Sequence, residues 1–282
     1  YKSDVFSMLM GIPEYALEIY NVLNNTHYTD TSQIQIMKLE KGVLLSIRND
    51  ASFVLDSYLS LYEHQSTYNP NMPLRFLIYF SNLMLELIKE QEYDLFGRKQ
   101  IPIPTPKFIV FYNGLETRPE QEEMRLSDAY EHPEEQYGLD LLCVAYNINP
   151  GYNEHIQNNS KVLFGYTTFV EKVRKYAKHE LILKDAIKHA IDECISEGIL
   201  ADFFSEHRRE VVEMAALDFT FERREKLIRR DSLEEGEKIG LLKGKIELLN
   251  EMGYSISEIA TKLALSEQKV NEMLQQLNER SD

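Results

Sequence analysis

The stretch Asn49-Asp50-Ala51-Ser52-Phe53-Val54-Leu55-Asp56-Ser57-Tyr58-Leu59-Ser60-Leu61-Tyr62-Glu63-His64-Gln65 decides the fold. Two runs rich in apolar and aromatic residues flank Asp56–Ser57, the pattern of a β-hairpin closed by a two-residue turn. In such a hairpin residue 55 faces 58, 53 faces 60 and 50 faces 63. Opposed side chains have Cβ atoms ~4.5–5.5 Å apart. Asp50 and Glu63 are therefore expected on one face, within reach of one hard cation, which takes oxygen ligands. Gln65 falls on the face of Glu63, and His64 on the opposite one. Phe53, Val54, Leu55, Leu59 and Leu61 make both faces apolar, which places the hairpin centrally in a sheet. Two carboxylates at the end of a buried hairpin are costly unless they bind something.

Outward from the hairpin the pattern is mixed. Val5 to Asn24 reads as a helix split at Gly11–Pro13. Gln33 to Leu39 and Val43 to Ile47 read as strands around a Lys41–Gly42 turn. Pro73 opens a strong helix to about Gln91, with proline at the favoured first turn. A proline-spaced loop leads into a strand over Lys107 to Tyr112. An acidic, irregular stretch runs to Gly138, and Leu139 to Tyr146 is a further strand. After Gly151 the chain reads as helix. The expected fold class is α/β, a mixed sheet flanked by helices, with an all-helical C-terminal extension. The expected divisions are a core over 1–180, a helical extension over 181–235 and a small helical tail over 236–282.

That tail carries Gly236, Gly240 and Gly244 at four-residue spacing, a face a second helix can approach closely. Ser255-Ile256-Ser257-Glu258 fits a capping box, and Ser266 caps a last helix from Glu267. Two capped helices with a short turn fit either a helix-turn-helix or a homodimer contact through the C-terminal helices.

A chain of 282 residues with 43% hydrophobic content can bury one sizeable core and a smaller appendage. Cys143 and Cys194 have no metal-ligand spacing and are expected to be buried free thiols of a cytoplasmic protein. No apolar run reaches the roughly 20 residues of a membrane-spanning helix, and Tyr1–Met10 is too polar for a signal peptide. The net charge of −15 counts against a broad nucleic-acid footprint but not against a local basic strip. The bases of Phe203 to Arg230 alternate with glutamates, as on a solvated helix.

An acid, a hairpin, then an acid, any residue and usually a lysine is the arrangement of the PD-(D/E)XK nucleases. The resemblance goes further. Asn49-Asp50-Ala51-Ser52-Phe53, then Leu61-Tyr62-Glu63-His64-Gln65-Ser66-Thr67-Tyr68-Asn69-Pro70-Asn71-Met72-Pro73-Leu74-Arg75, then Pro106-Lys107-Phe108-Ile109-Val110-Phe111-Tyr112-Asn113-Gly114, is similar to the recombination-promoting nuclease (Rpn) family, also described as YhgA-like PD-(D/E)XK transposases. It covers about residues 1 to 180, and the tail more loosely. It implies a restriction-endonuclease-like core and an Mg²⁺-dependent DNA endonuclease, with Mn²⁺ able to substitute. Asp50 and Glu63 would hold the metal. Gln65, at the position usually taken by lysine, would position water. It cannot supply a positive charge or act as a base, and in that family glutamine is usual there.

Arg75 and Tyr79 lie one helical turn apart after the hairpin. Arg75 either holds the scissile phosphate or pairs with a carboxylate, with Tyr79 in the core. Glu14 and Glu18 are candidates for a further metal acid or belong to a solvated helix face. Two functions follow. One is the metal-dependent endonuclease. The other is a DNA- or protein-binding module whose nuclease site is weak or inactive, acting through its tail.

Overall fold

The computed structural model describes residues 4–37, 50–178, 182–214, 216, 240–250, 252–263 and 265–278. Among these, β1 (Gln35–Ile36), β2 (Ala51–Leu55), β3 (Tyr58–Gln65), β4 (Thr105–Tyr112), β5 (Gln121–Arg125) and β6 (Leu142–Asn147) form one mixed sheet in the order β1-β2-β3-β4-β6-β5. The hairpin has the register read from sequence: Leu55 opposes Tyr58, Phe53 opposes Ser60 and Ala51 opposes Tyr62. Its turn residues have positive φ, 49° at Asp56 and 63° at Ser57. That conformation matches the right-handed twist of the strands. β3 lies between β2 and β4 and runs parallel to β4, from Tyr58 opposite Thr105 to Gln65 opposite Tyr112. The hairpin is therefore central.

Helices cover both faces. They are α1 (Asp4–Met10), α2 (Pro13–Asn24), α3 (Met72–Glu90), α4 (Glu154–Asn159), α5 (Lys161–Ala177), α6 (Leu183–Ser196) and α7 (Ala201–Glu206). Phe53, Leu55, Tyr62, Ile109 and Phe111 point to one face and form a core with Phe6, Ile19, Phe169, Ile187 and Phe204 from α1, α2, α5, α6 and α7. Leu59, Leu61, Val110, Cys143 and Ala145 point to the other and pack on Phe76, Tyr79 and Leu83 of α3. Strand alternation thus assigns each residue of β3 to a helix layer. Burial pushes the thiols up, to about 12 at Cys143 and about 11 at Cys194.

Three sequence expectations change. The acidic stretch before Gly138 contains β5, an edge strand of charged residues in which only Met124 is buried. With one inward side chain there is little alternation to read, and charged edges are a common guard against aggregation. The strand expected from Leu139 begins at Leu142, because the Asp140 carboxylate accepts from the Ser127 and Leu141 N–H groups at 3.1 and 2.9 Å and shapes a loop there. The strand expected from Gln33 begins instead at Gln35, since Thr31–Gln33 forms a 3₁₀ turn capped by Asp30. The strand expected over Val43 to Ile47 lies outside the described residues, as do Gly236 and the bases from Arg223 to Arg230.

The chain divides into two compact units, Tyr1–Thr220 and Phe221–Asp282, whereas the sequence placed divisions near 180 and 235. α6 and α7 share the core of α1 and α2, so no break in packing falls near 180. In the second unit residues 240–250 are helical, followed by helices Ile256–Leu263 and Glu267–Asn278 around Ile246, Ile259, Val270 and Met273. The capping box forms: Ser255 N–H donates to Glu258 Oε2 at 2.8 Å, and Glu258 N–H to Ser255 Oγ at 3.4 Å. Ser266 Oγ accepts from Lys269 N–H at 3.2 Å. A Cβ at Gly240 or Gly244 would meet nothing within 4 Å, so no close helix approach occurs there among the described residues.

Candidate active site

Glu63 and Gln65 end β3 on the face covered by α3, and both are buried, at 4% and 5% exposure. The hairpin register extended by one pair brings Asp50 opposite Glu63. The Asp50 N–H lies 3.4 Å from Glu63 Oε2, and Asp50 Oδ2 accepts from the His64 N–H at 2.6 Å. The two carboxylates foreseen from spacing are adjacent.

α3 supplies the counter-charge. Arg75 donates through a terminal guanidinium nitrogen to Glu63 Oε1. Its Nε and the same terminal nitrogen lie 3.0 and 2.6 Å from the Tyr79 hydroxyl. The carboxylate-pairing alternative for Arg75 is thus the one present, with Tyr79 buried beneath it. Burial, then the Asp50 charge, push the Glu63 carboxyl well above its ordinary range; Arg75 opposes this without cancelling it. Burial and Glu63 likewise push the Tyr79 phenol up, so it stays protonated. Arg75 is itself raised by Glu63 and Tyr79 against its desolvation, so it stays charged. Two carboxylates and one guanidinium are thus brought together at the end of β3, with Glu63 buried.

Paired carboxylates are hard oxygen donors of the kind a divalent cation takes. Among the described residues no group of three or more His, Cys, Asp or Glu is placed to hold a metal ion. Glu14 and Glu18 do not complete such a group. Both sit on α2, which packs on the opposite face of the sheet. Glu14 is exposed. Glu18 accepts from Ser160 Oγ at 2.8 Å and Val162 N–H at 2.9 Å, closing the N-terminus of α5. His64 points away as alternation requires: its Nε2 lies 3.0 Å from the Tyr166 hydroxyl, and its ring packs against Phe6.

Two groups at this edge were not anticipated. Arg118 lies 3.6 Å over the Tyr68 ring and donates to both Glu122 oxygens. These three line a small recess with Gln65. Arg118 precedes β5, the strand too polar to recognise. The other is Asn113, whose N–H donates to Gln65 O at 2.8 Å, and which Arg174 holds through Asn113 Oδ1 and O at 3.0 and 2.8 Å. Gly114 follows because Tyr112 folds back over it: a Cβ there would sit 2.3 Å from the Tyr112 hydroxyl. The end of the strand after Tyr112 was legible, but the partner of Asn113 on α5 lies 61 residues away, beyond any local pattern.

No helix among the described residues is long and apolar enough to cross a membrane. Comparison with protein-family models, with curated proteins and with solved structures yields no match.

Proposed function

We propose that this chain is an Mg²⁺-dependent DNA endonuclease with a PD-(D/E)XK core, of the recombination-promoting nuclease type. The observation that carries the proposal is the buried Glu63 beside Asp50 at the end of a central hairpin, with Gln65 on the same face.

Asp50 and Glu63 would hold the cation. When bound, Mg²⁺ or Mn²⁺ supplies Lewis acidity and lowers the pKa of a coordinated water. Gln65 orients the attacking water, its amide able both to accept from and to donate to it. Arg75 is the phosphate contact: its guanidinium, now on Glu63, is suited to a phosphate oxygen. Tyr79 keeps that guanidinium at the site. The water oxygen forms a bond to phosphorus as the ester P–O bond breaks.

The inert binding module is the second reading. One observation favours it: Arg75 already occupies Glu63 Oε1, as a protein that has replaced its cation with a fixed charge would have it. Cleavage of supercoiled plasmid in Mg²⁺, by wild type and Asp50→Ala, separates the two. Nicking or linearisation by the wild type alone supports the nuclease. Equal cleavage by Asp50→Ala removes the site from consideration, and no cleavage by either, in Mg²⁺ or Mn²⁺, leaves the binding module.

A further inference from the structure

The chain carries a net charge of −15, so any cation-rich concave surface stands out. One such surface lies at the end of the sheet that bears Gln65. A cleft of about 510 Å³ is walled on one side by Gly114 to Thr117, after β4, and by Asn147, Asn149 and Pro150, at the end of β6. On the other side stands the C-terminal end of α5 with Arg174 and Lys175, its capping residue Lys178, and Glu171. Three cations face two carboxylates, Glu116 and Glu171. Lys175 and Lys178 are exposed and have no carboxylate within 4 Å among the described residues. Arg174 is held to Asn113, the residue whose N–H bonds to Gln65 O.

We propose that this cleft binds backbone phosphates of the DNA flanking the cleaved bond, through Lys175 and Lys178 with Arg174 at its base. The proposal rests on the nuclease reading above. Register sets the distance: Gln65 pairs with Tyr112, and Tyr112 with Asn147, in parallel strands. Two inter-strand spacings separate the reacting edge from the cleft wall, roughly 10 Å. A duplex presents one phosphate charge per ~1.7 Å of axis, so DNA seated at Glu63 carries several phosphates past a wall at that range. Lysines in the last turn of a helix also complement its dipole. That local benefit does not require an open cleft, nor an arginine tied to the strand loop beside Gln65.

The test uses the full chain and a fluorescent DNA duplex in Ca²⁺, with affinity measured by anisotropy across a salt series, and plasmid cleavage in Mg²⁺ in parallel. Lys175→Glu/Lys178→Glu is expected to weaken binding at least about tenfold and to flatten the log Kd against log salt slope by about 2, at ~0.9 per lost phosphate contact. Lys175→Arg/Lys178→Arg is expected to keep both. Wild-type affinity and slope in the glutamate variant, with the wild type binding and cleaving, would overturn the cleft assignment alone. No binding or cleavage of duplex DNA by the wild type would overturn it together with the nuclease reading.

Discussion

At the scale of the residue the decisive group is Glu63. Its carboxyl is raised by burial and by Asp50, so the folded chain holds this proton to higher pH than the unfolded chain, where a glutamate titrates near ~4.3. The native state then binds more protons than the unfolded state between the two values, and stability falls as pH rises through that window. In metal-free buffer the wild type is expected to lose stability relative to Glu63→Gln from about pH 4.3 upward. Melting curves at several pH values check this, and parallel curves would refute it. Added Mg²⁺ is expected to restore the wild type at high pH and leave Glu63→Gln unchanged. Arg75 gives the complementary case. Arg75→Ala strands a buried carboxylate, which costs about 3 kcal/mol when one partner of such a pair is removed. Because protonating Glu63 relieves that cost, the loss in urea denaturation should be larger at pH 8 than at pH 5. Equal losses at both would show that the Arg75 stem, not its charge, stabilises the site.

At the scale of the element, the hairpin was legible because three independent signals agree in one short segment. Two apolar runs, a two-residue polar break and matched acids beyond the runs define both register and face. β5 was not legible, since four of its five side chains are turned outward or half exposed and only Met124 reports the sheet. The role of Glu18 was left open between a metal acid and a solvated helix face for a different reason. Helical spacing identifies its face, but its partners Ser160 and Val162 lie more than 140 residues away. The turn itself yields a prediction. Asp56 is tied by its Oδ2, which accepts from the Tyr28 hydroxyl at 2.7 Å, but Ser57 holds φ 63° with a Cβ. Ser57→Gly relieves a left-handed strain of roughly 1–2 kcal/mol, offset in part by glycine's greater freedom when unfolded. A net gain of about 0.5 kcal/mol is expected by chemical denaturation. Ser57→Val should instead be destabilising, because a β-branched residue is a genuine outlier there.

At the scale of the whole molecule, most of the strands along the chain were readable, β5 excepted, and their order across the sheet was not. Local pattern gives a strand and its faces, but the placing of β6 between β4 and β5 depends on long-range pairing that no window of sequence contains. The membership of α6 and α7 in the first unit was hidden for a related reason. α6 and α7 read as generic amphipathic helices, and only the structure reveals that Ile187, Ile191, Phe203 and Phe204 complete the layer over Phe111. Every buried side chain identified around Glu63 and Gln65 belongs to the unit Tyr1–Thr220, while Ile246, Ile259 and Val270 form a separate cluster within Phe221–Asp282. A chain ending at Thr220 is therefore expected to unfold as one cooperative transition and to keep the pH signature of Glu63, whereas a cut at 180 removes α6 and α7 and exposes the apolar layer of α5. Calorimetry and 8-anilinonaphthalene sulfonate binding on the two truncations compare these outcomes. Equal cooperativity of both would mean that α6 and α7 are dispensable to the core. If the longer truncation also cleaves plasmid at the rate of the full chain, the C-terminal helices act in partner choice rather than in the chemistry; a lost rate with intact folding would assign them to substrate binding.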